Sequence, residues 1–350
     1  MSMWFKRVDI GEIEKAKRAL PHYFSILKGD EEPNFFQAKK VSVEFDEGAS
    51  LEELWQLHKK GMELLREGEF KENPEKSLLD LKVIIANKIL EKCELCEIKC
   101  GVNRKESIGY CRVRESLIAS DFLHLGEEPE LVPSYTIFFS GCNFRCVFCQ
   151  NWDISQQRVG VHYSPEEVGI KIGVAYARGA KNVNFVGGEP TPNLPFILDV
   201  LRHVKVPIPV LWNSNMYMSE EAMELLDGVV DVYLGDFKWG NDKCAIKNSK
   251  APRYWETVTR NFLLAKDHYK AELLIRHLVI PNHLECCTRP ILRWIGENLG
   301  RDVRVNVMFQ YHPDYRARGE KELNRTLNYE EMLKAAEFVK EFGFKNTMVG

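Results

Sequence analysis

The chain has 350 residues, 45% of them hydrophobic and 28% charged, with a formal net charge of -3 and a mean hydropathy of -0.31. This is the balance of a globular protein long enough for one large α/β domain with an appendage, and it excludes a disordered chain and a small disulfide-stapled scaffold. The slight acidity leaves no global basic field, so neither nucleic acid nor an anionic membrane surface is implied as a partner.

In chain order, the first twenty residues mix Lys6, Arg7, Glu12, Lys15 and Arg18 with apolar positions, which is not the pattern of a signal peptide. No run approaches the roughly 20 apolar residues of a membrane span. A cytoplasmic protein without a membrane partner is expected. Residues 1–92 read as an N-terminal helical region: Leu51, Leu54, Trp55, Met62 and Leu65, and then Leu78, Leu81, Ile85 and Ile89, recur at helical spacing, with Pro33 and Pro74 marking joints. Residues 93–125 form a small Cys-rich, metal-binding module. Residues 126–326 alternate strand-like apolar runs with amphipathic helices, the rhythm of a parallel sheet built by β/α crossovers. Six strands are predicted: Tyr135–Phe139, Val183–Val186, Ile208–Trp212, Val229–Leu234, Leu273–Val279 and Val303–Phe309. Ser164, Pro165 and Glu167 mark one helix start, and Asn328 and Glu331 open a C-terminal helix within residues 327–350. Six units fall short of the eight of a closed barrel, so the expected fold is α/β, a partial (β/α)6 TIM-type barrel with chemistry at the C-terminal strand ends.

The chain has ten cysteines, and seven of them fall in two runs. Cys142, Cys146 and Cys149 form a C-x3-C-x2-C loop directly after the first predicted strand, which in a cytosolic chain points to metal or redox chemistry. Three thiolates do not close a tetrahedral zinc site, whereas a 4Fe-4S cluster held by three thiolates keeps one iron free of protein ligands. Upstream, Cys93, Cys96, Cys100 and Cys111 can close a four-thiolate sphere, a second metal site that suits either zinc or an auxiliary iron–sulfur cluster. Cys244, Cys286 and Cys287 show no ligand spacing and are expected as packing residues or chance exposures.

The loop, with aromatic Phe148 just before its third cysteine, resembles the hallmark of the radical S-adenosylmethionine (SAM) superfamily. Gly187, Gly188, Glu189 and Pro190 after the second strand look like that family's GGE motif. Asp236 and Lys238 at the end of the fourth strand resemble the D-x-K segment of pyruvate formate-lyase activating enzymes. The upstream quartet instead resembles a poorly characterised iron–sulfur branch of activating-enzyme-like proteins. The resemblance implies that Cys142, Cys146 and Cys149 bind the cluster, whose open iron chelates SAM. An electron then yields methionine and a 5'-deoxyadenosyl radical that abstracts hydrogen. It further implies SAM contacts from Phe148, Gly187, Gly188, Glu189, Asn213, Ser214, Asp236, Lys238, Arg276 and His312; His277 either shares in this pattern or is a satisfied rim histidine. A low-potential electron donor such as ferredoxin or flavodoxin is implied too, and the substrate is a protein, as for a glycyl-radical activase, or a small molecule. From the residues alone, the competing reading is a non-enzymatic iron–sulfur electron carrier or a zinc-stabilised interaction module, neither of which needs a SAM cradle.

Overall fold

A computed structural model describes residues 10–350. Helices α1 (Ile10–Ala19), α2 (Pro21–Lys28), α3 (Asn34–Lys40), α4 (Leu51–Glu67) and α5 (Leu78–Ile89) come first. Capping boxes of Ser50 with Glu53 and Ser77 with Asp80 open α4 and α5, each satisfying backbone donors that the helix itself leaves unpaired. The buried faces carry Leu54, Met62 and Leu65 on α4 and Leu78, Leu81, Ile85 and Ile89 on α5, the stripes their spacing predicts.

The remaining chain runs β1 (Ile118–His124), β2 (Ser134–Phe139), α6 (Trp152–Ser155), α7 (Pro165–Ala177), β3 (Asn182–Gly187), α8 (Leu194–His203), β4 (Val210–Ser214), α9 (Glu220–Leu226), β5 (Val232–Asp236), α10 (Asp242–Ser249), α11 (Tyr254–Asp267), β6 (Glu272–Leu278), α12 (Arg289–Asn298), β7 (Arg304–Met308), α13 (Tyr329–Phe342) and β8 (Thr347–Val349). The eight strands form one sheet in chain order. β2 to β8 are parallel, and β1 pairs antiparallel with β2. All six predicted strands are present, and the order is that of an open, partial barrel. Two of them start later than the apolar runs suggest. Pro207 and Pro209 lack the N–H that a ladder needs, so β4 begins at Val210. Val229 and Val230 still donate back to the Leu226 carbonyl at the end of α9. The sheet also gains β1, whose residues 118–124 follow the upstream cysteines, and the three-residue β8 at the C-terminus. Helices α7 and α13 start at Ser164/Glu167 and Asn328/Glu331 capping boxes, as their sequences predict.

Helix α2 closes the bottom of the barrel, while α5 packs beside α8 and α9. Glu272, the first residue of β6, accepts the backbone N–H groups of His22 and Tyr23 at 2.7 and 2.9 Å. Asn182, the first residue of β3, donates to the Tyr23 hydroxyl at 2.9 Å. Above them Leu20, Tyr23, Leu131, Leu211, Val232, Leu234 and Leu274 fill the lower interior, while the larger core lies between the sheet and its surrounding helices. The interior is thus filled from the N-terminal ends of the strands. Among the described residues no helix is long and apolar enough to cross a membrane.

Candidate functional site

A cavity of about 450 Å³ opens at the C-terminal strand ends, within the usual size of small-molecule sites. The loop after β2 supplies its sulfur. Backbone bonds fix that loop from several sides: Cys142 N–H donates to Cys111 O at 3.1 Å, Arg145 N–H to Ser249 O at 2.8 Å and Val147 N–H to Asn248 O at 2.9 Å. The Arg145 guanidinium binds the Cys142 and Phe144 carbonyls, each at 2.8 Å, so the turn is held from within as well. Cys142, Cys146 and Cys149 all line the cavity. Their sulfurs have polar partners: Phe144 N–H donates to Cys142 Sγ at 3.3 Å, Ser249 Oγ lies 3.0 Å from Cys146 Sγ, and Ser155 Oγ lies 3.2 Å from Cys149 Sγ.

These contacts test whether the loop fits a metal cluster. Burial pushes all three thiols above their ordinary range, Cys142 furthest with Glu189 beside it and Cys146 to about 11. A cationic centre is what lets such packed thiols ionise together. The N–H and hydroxyl neighbours of these sulfurs are outer partners of the kind that tune a thiolate-bound cluster.

The strand ends complete the walls. Gly187 has φ +121°, and a Cβ there would stand 2.2 Å from Phe139 N; a Cβ on Gly188 would lie 2.1 Å from Gly141 O. Only glycines let the end of β3 press against the base of the cysteine loop. Glu189 is buried: its Oε1 accepts the Thr191 and Ser214 hydroxyls, each at 2.6 Å, and its Oε2 accepts Asn215 N–H at 3.0 Å. Burial nonetheless raises its pKa. A carboxylate offers about four lone-pair sites, so Oε2 retains room for another donor. Asn213 and Ser214 also line the cavity. Phe148 packs its ring against Trp239 and Tyr311, with centroids 5.6 and 5.8 Å apart.

Lys238 Nζ sits 2.5 Å from Asp236 Oδ2. Burial opposes its charge, but Asp236 and the Cys146 and Cys149 sulfurs outweigh it and raise the pKa. Arg276 lines the cavity and is clamped by Glu127 and Glu128, with Glu128 at 2.5 and 2.8 Å. Burial pushes Glu128 up, and Arg276 more than reverses it. Glu127 and Glu128 sit on the β1–β2 loop and reach Arg276 across about 150 positions of sequence, a partnership with no local signal beyond the acidic run itself. His312 lies outside the lining: it is exposed and 3.2 Å from Asp314, while Gln310, two residues earlier, lines the cavity. His277 is buried under the rim, its Nδ1 2.8 Å from Phe237 O and its Nε2 2.9 Å from Thr288 Oγ1, a satisfied histidine. Its pKa falls to about 4 through burial.

The upstream quartet lies against the same loop. Cys100 and Cys111 sulfurs lie 3.6 and 3.4 Å from where a Gly109 Cβ would stand, and Arg104 Nη1 approaches Cys93 Sγ at 3.9 Å. Cys96 feels the Cys111 and Cys93 sulfurs, and burial followed by these neighbours raises its pKa.

The radical SAM superfamily model matches residues 136–295, the span from β2 to α12. That part of the chain, a little under half of it, is similar to the radical SAM superfamily, a likeness that implies a 4Fe-4S cluster and SAM. The chain as a whole is 48% identical over 335 residues to the uncharacterized protein MJ0674 of Methanocaldococcus jannaschii, covering 92% of this chain and 97% of that one, and the two form one family. It is also 28% identical over 152 residues to the pyruvate formate-lyase-activating enzyme of Clostridium pasteurianum, 41% of this chain and 61% of that one. Among solved structures, SuiB of Streptococcus suis aligns with a TM-score of 0.40 and 14% identity over 60% of this chain and 45% of its own.

Proposed function

We infer that the protein is an activating-enzyme-like oxidoreductase that cleaves SAM reductively and abstracts hydrogen from a protein or small-molecule substrate. The observation that carries this reading is one cavity lined together by Cys142, Cys146, Cys149, Glu189 and Lys238. The cluster, when bound, supplies the electron for SAM cleavage. The chain's residues bind and orient. Three lining carboxylates, Glu127, Glu189 and Asp236, face two cations, Lys238 and Arg276, which favours a ligand of net positive charge such as SAM. Glu189 Oε2 accepts the SAM ammonium group, Lys238 donates to its carboxylate, and Asn213 and Ser214 offer amide and hydroxyl groups to the ribose or methionine moiety. The open sheet leaves access for a bulky substrate, and the electron comes from a low-potential donor of the ferredoxin or flavodoxin kind. The test is electron paramagnetic resonance of anaerobically reconstituted, reduced protein: SAM should perturb the cluster signal, and an unperturbed signal would remove the reading.

The quartet of Cys93, Cys96, Cys100 and Cys111 is assigned a second metal, zinc or an auxiliary iron–sulfur cluster. Metal retained after Ala replacement of Cys142, Cys146 and Cys149, and lowered when Cys93 and Cys111 are replaced as well, is the expected result. Metal content unaffected by the Cys93 and Cys111 replacements would refute the assignment.

A further inference from the structure

The three cysteines without ligand spacing are the ones the fold draws into the tightest group. Cys244 stands in the first turn of α10, after β5; Cys286 and Cys287 occupy a five-residue π turn, Leu284–Thr288, after β6. Both segments leave the C-terminal rim of adjacent strands. Their sulfurs all lie within 4.8 Å of one another, the one such group of three metal-ligand side chains among the described residues. Cys244 Sγ is 3.9 Å from Cys286 Sγ, which is 3.8 Å from Cys287 Sγ. None of the three lines the cavity described above.

We propose that Cys244, Cys286 and Cys287 form a zinc(II) site at the rim of the barrel. The separations of 3.9 and 3.8 Å match the edges of about 3.8 Å that follow from tetrahedral zinc–thiolate bonds of about 2.3 Å. They are far from the roughly 2.05 Å of a disulfide, which would need the sulfurs to move by almost 2 Å. A side-chain donor approaches the group as donors do metal thiolates: Asn241 Nδ2 lies 3.9 Å from the Cys287 sulfur. Asn241 also holds the two segments together: its Oδ1 accepts Cys244 N–H at 2.9 Å and its Nδ2 donates to Cys286 O at 2.7 Å. Such outer-sphere partners fix ligand orientation. Gly240 is confined as well, since a Cβ there would meet Cys287 Cα at 2.5 Å and Cys286 O at 2.6 Å. Cys287 is buried, Cys244 half-buried and Cys286 exposed, so the group is open to solvent on the Cys286 side. On binding, the three thiol protons pass to solvent. The ion fastens the segment after β5, which carries Lys238, to the turn after β6. The proposal is independent of the SAM reading.

The test uses the full chain, anaerobically reconstituted with iron and sulfide, stripped of loosely held metal with a chelator and then exposed to zinc chloride. Alkylation followed by peptide mass mapping should show Cys244, Cys286 and Cys287 protected together by zinc and reopened by chelator. Zinc binding should weaken by more than roughly tenfold in Cys286→Ser, whose exposed position leaves folding intact. Alkylation rates indifferent to zinc would overturn the proposal. So would unchanged zinc affinity in Cys286→Ser, or a protected state reversed by reductant and not by chelator, which identifies a disulfide.

Discussion

At the residue scale, the site is a set of charges that balance inside the protein yet keep capacity to spare. Lys238 gives one of three donors to Asp236, so its remaining donors can meet a carboxylate in the cavity. Lys238→Met keeps most of the aliphatic stem and deletes the cation. Loss of a desolvated charged contact should cost about 1.5–3 kcal/mol of SAM binding, roughly 10- to 150-fold in affinity. Iron content should not change. Calorimetric titration of the reconstituted variant checks this, and an unchanged affinity would reduce Lys238 to a partner of Asp236. Residues of this kind differ in how far sequence reveals them. Cys142, Cys146 and Cys149 are legible because ligand chemistry forces a short spacing. Arg276 is legible as a charge in an apolar strand, but its clamp by Glu127 and Glu128 is not. The Cys244, Cys286 and Cys287 group exists only through the adjacency of two rim segments.

At the element scale, α5 carries a lysine where its sequence shows an apolar helix. Lys82 is fully buried, with Nζ 2.7 Å from His58 Nε2 on α4 and 3.1 Å from the Glu224 carbonyl on α9. Burial pushes its pKa from 10.5 down to about 7, and burial together with Lys82 lowers that of His58. The unfolded chain therefore binds a proton at Lys82 between about pH 7 and 10.5 that the folded chain does not, so this group adds stability as pH rises across that window. Below about pH 7 both states are protonated and the burial cost is fully present. Lys82→Met should remove a pH-dependent component on the order of a few kcal/mol. Urea denaturation of both proteins at pH 7 and pH 10 measures it; parallel pH dependence in the two would contradict the argument. Secondary structure was legible here where capping and periodicity coincide, as in α7 and α13. It was not for β1, whose Ile118–His124 alternates polar and apolar residues beside a cysteine module, nor for β8, three residues that only the edge of β7 makes into a strand.

At the scale of the whole molecule, helices α1 and α2 and the site occupy opposite ends of one sheet. The bottom closure depends on charge as well as on apolar packing. Arg304, at the start of β7, is buried against Glu130 at 2.7 Å and reaches Glu12 of α1 at 3.0 Å. Arg304→Met should destabilise the fold by about 3–5 kcal/mol because Glu130 stays behind as an unpaired buried charge, while Arg304→Met with Glu130→Leu should recover most of the loss. Denaturant midpoints of the single and double variants decide it, and a double variant no more stable than the single one would refute the reasoning. Composition and alternation reveal that such a chain is α/β, but this long-range closure rests on contacts between residues almost three hundred positions apart. The most direct measurement on the whole protein is the yield of 5'-deoxyadenosine when anaerobically reconstituted enzyme is mixed with dithionite and SAM. The account predicts that the nucleoside forms with the native chain and is abolished when Cys142, Cys146 and Cys149 are replaced by Ala; formation at an equal rate by that variant, or none by a native chain carrying its full cluster, would contradict it.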